Sequence, residues 1–171
     1  MMAARGGAMR LFFALWPPEE TALALERWAS ALNGRRVPAG NIHMTLAFLG
    51  EADSGRACAA AHRVQGAAFR LPIEEARYWA HNDIVWVGPR AMPAALQQII
   101  ESLQLELFKA GFILERRPFA AHVTLVRKAQ AQPLLPLPPA EWPVKEFCLM
   151  SSTPTGRGAA YRRVEAFPLT S

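Results

Sequence analysis

His43-Met44-Thr45-Leu46 and His122-Val123-Thr124-Leu125 spell the tetrad His-x-Thr-Leu twice, 79 residues apart (122 − 43). The chain holds only four histidines and six threonines in 171 residues, so two matched pairs are a rarer coincidence than one. Side chains along a strand alternate faces. Each histidine therefore shares a face with its threonine, while Met44, Leu46, Val123 and Leu125 point the other way. Two imidazoles with an ordinary pKa of about 6.5 can sit one charged and one neutral near neutral pH. That is the state needed for a general acid and a general base on opposite sides of a reacting phosphorus. Thr45 and Thr124 can donate hydrogen bonds to the non-bridging oxygens as charge builds there. No side-chain nucleophile is required, since water or a ribose hydroxyl can attack.

Zinc is the sharpest rival for a pair of histidines. It needs three or four ligands, yet neither tetrad has a carboxylate or thiol at ligand spacing, and threonine is a poor zinc ligand. The expectation is therefore no metal and no cofactor. His62, in an alanine-rich stretch, and His81, at a turn, have no matching pattern and are expected to be bystanders. A non-catalytic cleft that grips RNA or a nucleotide remains the alternative to an enzyme, although arginine or lysine would serve pure binding better than histidine.

Nineteen basic against 14 acidic residues give a net charge of +5, which favours anionic partners. Arg35-Arg36, Arg116-Arg117, Arg127-Lys128 and Arg157 with Arg162-Arg163 are the clusters. Half the residues are apolar and 19% are charged, as in a globular chain and against disorder. No apolar run approaches the ~20 residues that span a bilayer, so no membrane association is expected. LFFALW runs straight into Pro17-Pro18 and lacks the features of a signal peptide. Cys58 and Cys148 form no C-x-x-C pattern; two inert thiols in a reducing cytoplasm are expected, and no obligate protein partner is indicated.

The elements that must position the tetrads follow from periodicity. Residues 9–17 predict a buried strand, and the stretch from Pro18 predicts a helix capped at Gly34. A basic loop leads to the first tetrad strand, and residues 53–68 predict a second helix with Asp53 or Ser54 at its N-cap. Residues 69–80 and 83–89 predict two strands, and AMPAALQQIIESLQLELFKAG predicts a helix ending at Gly111. A loop then delivers the second tetrad. Five prolines across 130–143 predict a spacer that is neither helix nor central strand. Two closing strands flank the turn TPTGRG. Strand, Pro, helix, Arg-Arg loop, tetrad therefore occurs twice, and two such units facing across a pseudo-twofold would share one cleft. The motif is doubled because the site has two halves.

HMTLAFLGE and HVTLVRK at this separation resemble the paired HxTx motifs of the two-histidine (2H) phosphoesterases, above all the RNA 2′,3′-cyclic phosphodiesterases, or 2′-5′ RNA ligases. The likeness extends over RLFFALWPP, RRVPAGNIHMTLAFLGE, the WVGP strand, F-x-x-HVTLVR and LMSS…GAAYRRVEAFPL. It implies a bilobal α+β fold with two pseudo-symmetric lobes of antiparallel sheet plus helices; the length fits one domain over residues 1–171, or two small lobes sharing a core, and residues 1–9 read as a loose tail before the first strand. The resemblance also implies hydrolysis of 2′,3′-cyclic phosphates on RNA ends or small nucleotides to 2′-phosphomonoesters, with reversible 2′-5′ ligation and no cofactor. By that resemblance His43 is the proton donor, His122 the acceptor, and Arg127 a phosphate ligand. Strand alternation speaks against the last of these: 122, 124 and 126 share a face, so Arg127 should point away unless the strand ends or bulges near Val126. Phe48 and Phe119 are the candidates for stacking on a base.

Overall fold

The structure, a computed structural model, describes residues 9–156 and 158–171. The tail expected over 1–9 lies outside them, except for Met9, which opens the first strand; Arg157 also lies outside.

Met9–Leu15 (β1) is apolar through most of its length because it is a central strand, paired along both edges. Glu19–Ala29 (α1) follows the two prolines, with Glu19 and Glu20 in its first turn and Arg27 in its last, as the helix dipole favours. The helix stops at Ser30, whose hydroxyl donates to the Arg27 carbonyl at 2.6 Å, so Gly34 is not its cap. Gly34 instead admits the chain to Arg35–Arg36 (β2), where any Cβ would lie 2.6 Å from Val126 Cγ1. A 3₁₀ turn leads to His43 and then Met44–Ala52 (β3), which carries the rest of the first tetrad. Asp53 caps Ser54–Ala61 (α2) by accepting from the Arg56 N–H at 2.9 Å, and the helix ends at Ala61 rather than at residue 68.

The stretch 69–80 divides into two strands, Phe69–Ile73 (β4) and Glu75–Trp79 (β5), which enter different sheets. After the expected turn comes Ile84–Gly88 (β6), buried throughout. Ala94–Lys109 (α3) buries the stripe Leu96, Ile99, Ile100, Leu103 and Leu107, and ends as predicted. Gly111 takes a φ of +90°, which lets the Phe112 N–H return to the Leu107 carbonyl at 3.0 Å. Val123–Arg127 (β7) follows His122 and carries the rest of the second tetrad.

The proline-rich stretch is only partly spacer. Ala140–Val144 (β8) is a strand, but among the described residues its one partner is β4, and Pro143 sits opposite Arg70. A strand with a free edge can leave a proline nitrogen unbonded. Upstream, Gln132 exchanges two hydrogen bonds with the Asn33 backbone (2.8 and 3.0 Å), and Trp28 donates to the Pro136 carbonyl at 3.2 Å, pinning the spacer to the end of α1. Glu146–Thr155 (β9) and Gly158–Pro168 (β10) close the chain as a long hairpin.

Two four-stranded antiparallel sheets result, β10-β9-β1-β3 and β2-β7-β6-β5, and one apolar cluster contains residues of both. The fold is α+β and bilobal, as the resemblance implies. The duplication is visible in the register. Leu15, Ala14 and Phe13 pair with Met44, Thr45 and Ala47; Val87, Trp86 and Val85 pair with Val123, Thr124 and Val126. All three pairs superpose with offsets of 72 (87 − 15) and 79 (123 − 44). Leu46 and Leu125 are skipped, so each copy has a bulge at its leucine. The extra residue re-phases the alternation. In β7, Leu125 and Val126 are both buried and Arg127 is exposed; in β3, Leu46 is buried, Ala47 is half-buried and Phe48 is exposed. Phe48 and Arg127, each five residues after its histidine, are thereby returned to the threonine face.

Candidate active site

His43 lies in an aromatic box. Trp16 stacks flat on its ring (centroids 4.8 Å, interplanar angle 2°), and Phe12 and Tyr161 stand at 5.2 Å. Its Nδ1–H donates to the Asn41 carbonyl at 2.7 Å, which fixes the tautomer and leaves Nε2 toward the cleft, 3.1 Å from the Thr45 hydroxyl. His122 repeats the arrangement. Its Nδ1–H donates to the Ala120 carbonyl at 2.8 Å, and its ring packs against Trp79 (4.8 Å) and edge-on to Trp86 (6.2 Å). Each histidine is thus anchored by the carbonyl two residues before it, and each turns the same nitrogen to the cleft.

The cleft has two arms that meet at Thr45, Asn82 and His122. One arm, about 460 Å³, is lined by Phe48, Trp79, His81, Arg117 and Phe119 among others. The other, about 420 Å³, is lined by Arg35, Arg36, His43, Thr124, Arg127 and Tyr161 among others. All seven residues singled out from the sequence therefore line this one cleft, with Phe48 and Phe119 in the aromatic arm and Arg127 in the basic one. Arg127 reaches the cleft because the bulge at Leu125, next to the position where one was allowed for, restores it to the face of Thr124. His62 lies elsewhere, 2.7 Å from Glu165, whereas His81 packs on Trp79 at 5.5 Å and lines the aromatic arm.

Sequence reading missed Trp16, Tyr161, Trp79 and Asn82. For Trp16 a signal exists, because Phe12, Ala14 and Trp16 alternate with the core-facing Phe13 and Leu15 and so fall on the cleft side of β1. Tyr161 and Trp79 arrive from distant strands, and nothing local marks them.

Both imidazoles are harder to protonate than free histidine. Burial lowers His43 to about 4, with the Arg127 and His122 charges adding to the effect and the hydrogen bond to Asn41 opposing it. Burial also lowers His122, again with Arg127 adding and the Ala120 carbonyl opposing. Both rings therefore favour the neutral form more strongly than the ordinary value of about 6.5 implies. An anion lodged between them would supply the missing stabilisation. Among the described residues, no three His, Cys, Asp or Glu side chains converge as a metal site.

Residues 15–86 match the family model of the LigT-like phosphoesterases. The chain is 33% identical to the RNA 2′,3′-cyclic phosphodiesterase of Escherichia coli K12, covering 94% of this chain and 97% of that one. It is 31% identical to the enzyme of the same name from Thermus thermophilus, covering 94% and 90%. The crystal structure of E. coli LigT in apo form has a TM-score of 0.85 at 31% identity, covering 96% of this chain and 99% of that one; LigT complexed with 3′-AMP gives the same values. With doubled tetrads, matched bulges and paired cleft histidines on that fold, the chain belongs to the LigT-like phosphoesterase family.

Proposed function

We propose that this protein hydrolyses 2′,3′-cyclic phosphodiesters, on RNA ends or small nucleotides, to 2′-phosphomonoesters, and that a 5′-hydroxyl attacking the cyclic phosphate in place of water gives, reversibly, a 2′-5′ phosphodiester. The observation that carries this reading is the pair of cleft-facing Nε2 atoms, each held by a carbonyl behind it, with Thr45, Thr124 and Arg127 beside them. Relatives named for the same reaction support it.

In the hydrolytic direction His122 Nε2 takes a proton from water as the water oxygen bonds to phosphorus. The bond from phosphorus to the 3′ oxygen breaks, and His43 Nε2 gives its proton to that oxygen. The product is a 2′-phosphomonoester, and solvent returns the proton from His122 to His43. Arg127 can hold two non-bridging oxygens at once, and the threonine hydroxyls can donate to the charge that builds on them. A donor whose resting pKa is low is a strong acid once the substrate's negative charge has helped to protonate it.

The decisive experiment is incubation with 2′,3′-cyclic AMP. The expected product is 2′-AMP, at an unchanged rate in EDTA. The 3′ isomer would reverse the roles of His43 and His122, chelator sensitivity would overturn the metal-free scheme, and binding without product would leave a nucleotide-binding module. His43→Ala and His122→Ala should each lower turnover by about 10²–10⁴ in variants that circular dichroism shows to be folded.

A further inference from the structure

Arg35 and Arg127 stand directly opposite each other in the antiparallel pair β2–β7, so their side chains leave the same face side by side. Like charges at opposed positions repel, and a sheet gains nothing from placing them there. Both line the basic arm, where no Asp or Glu appears among the lining residues. Neither has an ion-pair partner among the described residues. Room for the second guanidinium is built in from another strand: at Gly158 (φ +136°), the first residue of β10, a Cβ would lie 3.1 Å from the Arg35 guanidinium. Arg35 is moreover half-buried, so part of its solvation is already lost. Arg36 also lines this arm, but its Nη1 donates to the Leu32 carbonyl at 3.2 Å; the two guanidiniums set side by side, Arg35 and Arg127, are accounted for by a ligand bearing two phosphates.

We propose that Arg35 forms a second phosphate subsite, which takes the 5′-phosphate of the nucleotide whose 2′,3′-cyclic phosphate lies at Arg127 and the histidines. This rests on the phosphodiesterase reading and specifies its substrate as a phosphorylated or chain-internal nucleotide rather than a bare nucleoside. The chemistry of a ribose fits the two arms. Its cyclic phosphate occupies one edge, and the base at C1′ and the 5′ carbon at C4′ leave on opposite flanks. With the phosphate at the junction, the base enters the aromatic arm of Phe48, Trp79 and Phe119, and the 5′-phosphate enters the basic arm.

The test compares adenosine 2′,3′-cyclic phosphate with the same compound carrying a 5′-phosphate. The wild type should show a KM about tenfold lower for the 5′-phosphorylated compound, the scale of one charge-assisted hydrogen bond. Arg35→Gln should raise that KM by about tenfold and the other by less than threefold, so that the preference disappears, while Arg35→Lys should keep part of it. Equal KM values in the wild type, or equal losses on both compounds in Arg35→Gln, would overturn the subsite. Turnover of neither compound would count against the phosphodiesterase reading instead. The subsite is then decided by equilibrium binding, where adenosine 2′,5′-bisphosphate should bind the wild type about tenfold more tightly than 2′-AMP, and equal affinities refute it.

Discussion

His43, lowered to about 4, and His122, also lowered, together set the pH response. Productive encounter needs one imidazole charged and one neutral in the free enzyme. Going down in pH, kcat/KM should fall only once both are protonated; going up, it should fall as the last proton leaves, below the ordinary value of about 6.5. The maximum of kcat/KM is therefore expected on the acid side of pH 6.5, with apparent pKa values that belong to the pair. The maximum of kcat should lie higher, because the bound anion favours the charged imidazole. A kcat/KM still rising above pH 7 would contradict the burial argument. Arg127 gives a second residue-level test. Lysine keeps the charge but not the two-pronged geometry, so Arg127→Lys should lower turnover about tenfold or more with the thermal midpoint unchanged. Normal turnover would remove the phosphate-ligand role.

At the scale of elements, the two bulges and the close strand contacts hold the site in place. Gly88 ends β6 against the chain that enters β7, and a Cβ there would lie 2.7 Å from the Ala121 carbonyl oxygen. The neighbouring Ala120 carbonyl anchors His122. Gly88→Ala must shift that backbone, so it should cost about 1–3 kcal/mol in stability and lower kcat together with it. Thermal melting and kinetics on the same variant check this; a fall in stability with full kcat would show that the anchor tolerates the shift. These elements also show what sequence makes legible. Continuous apolar runs marked β1 and β6, and a 3.6-residue period marked α3, because burial leaves a local trace in the sequence. The tetrads marked the histidines because the chemistry is duplicated. The bulges left no such trace: Leu46 and Leu125 look like ordinary inward residues, and only cross-strand register reveals that each is unpaired. The split of 69–80 and the strand 140–144 were hidden for a related reason, since a partner distant in sequence decides whether an extended segment pairs.

For the whole molecule, the surplus of basic residues becomes a statement about substrate length. A polymer lying along the basic arm and the surface beyond it would release counterions on binding, so its affinity should fall steeply with salt. A cyclic mononucleotide touches the cleft alone and should respond with a much shallower slope. Measuring KM for both across a salt series tests this, and equal slopes would confine the interaction to the cleft. The hairpin β9–β10 carries a further consequence. Both histidines are in place by residue 122, yet β9 forms one flank of β1, Tyr161 walls the His43 ring, and the Ala159 carbonyl accepts from Asn41 beside it. A nascent chain that has emerged only through the second tetrad therefore displays the full motif without the cavity. Activity should switch on late in synthesis, when the closing hairpin slots in, and a fragment retaining both tetrads but lacking that hairpin would be inert.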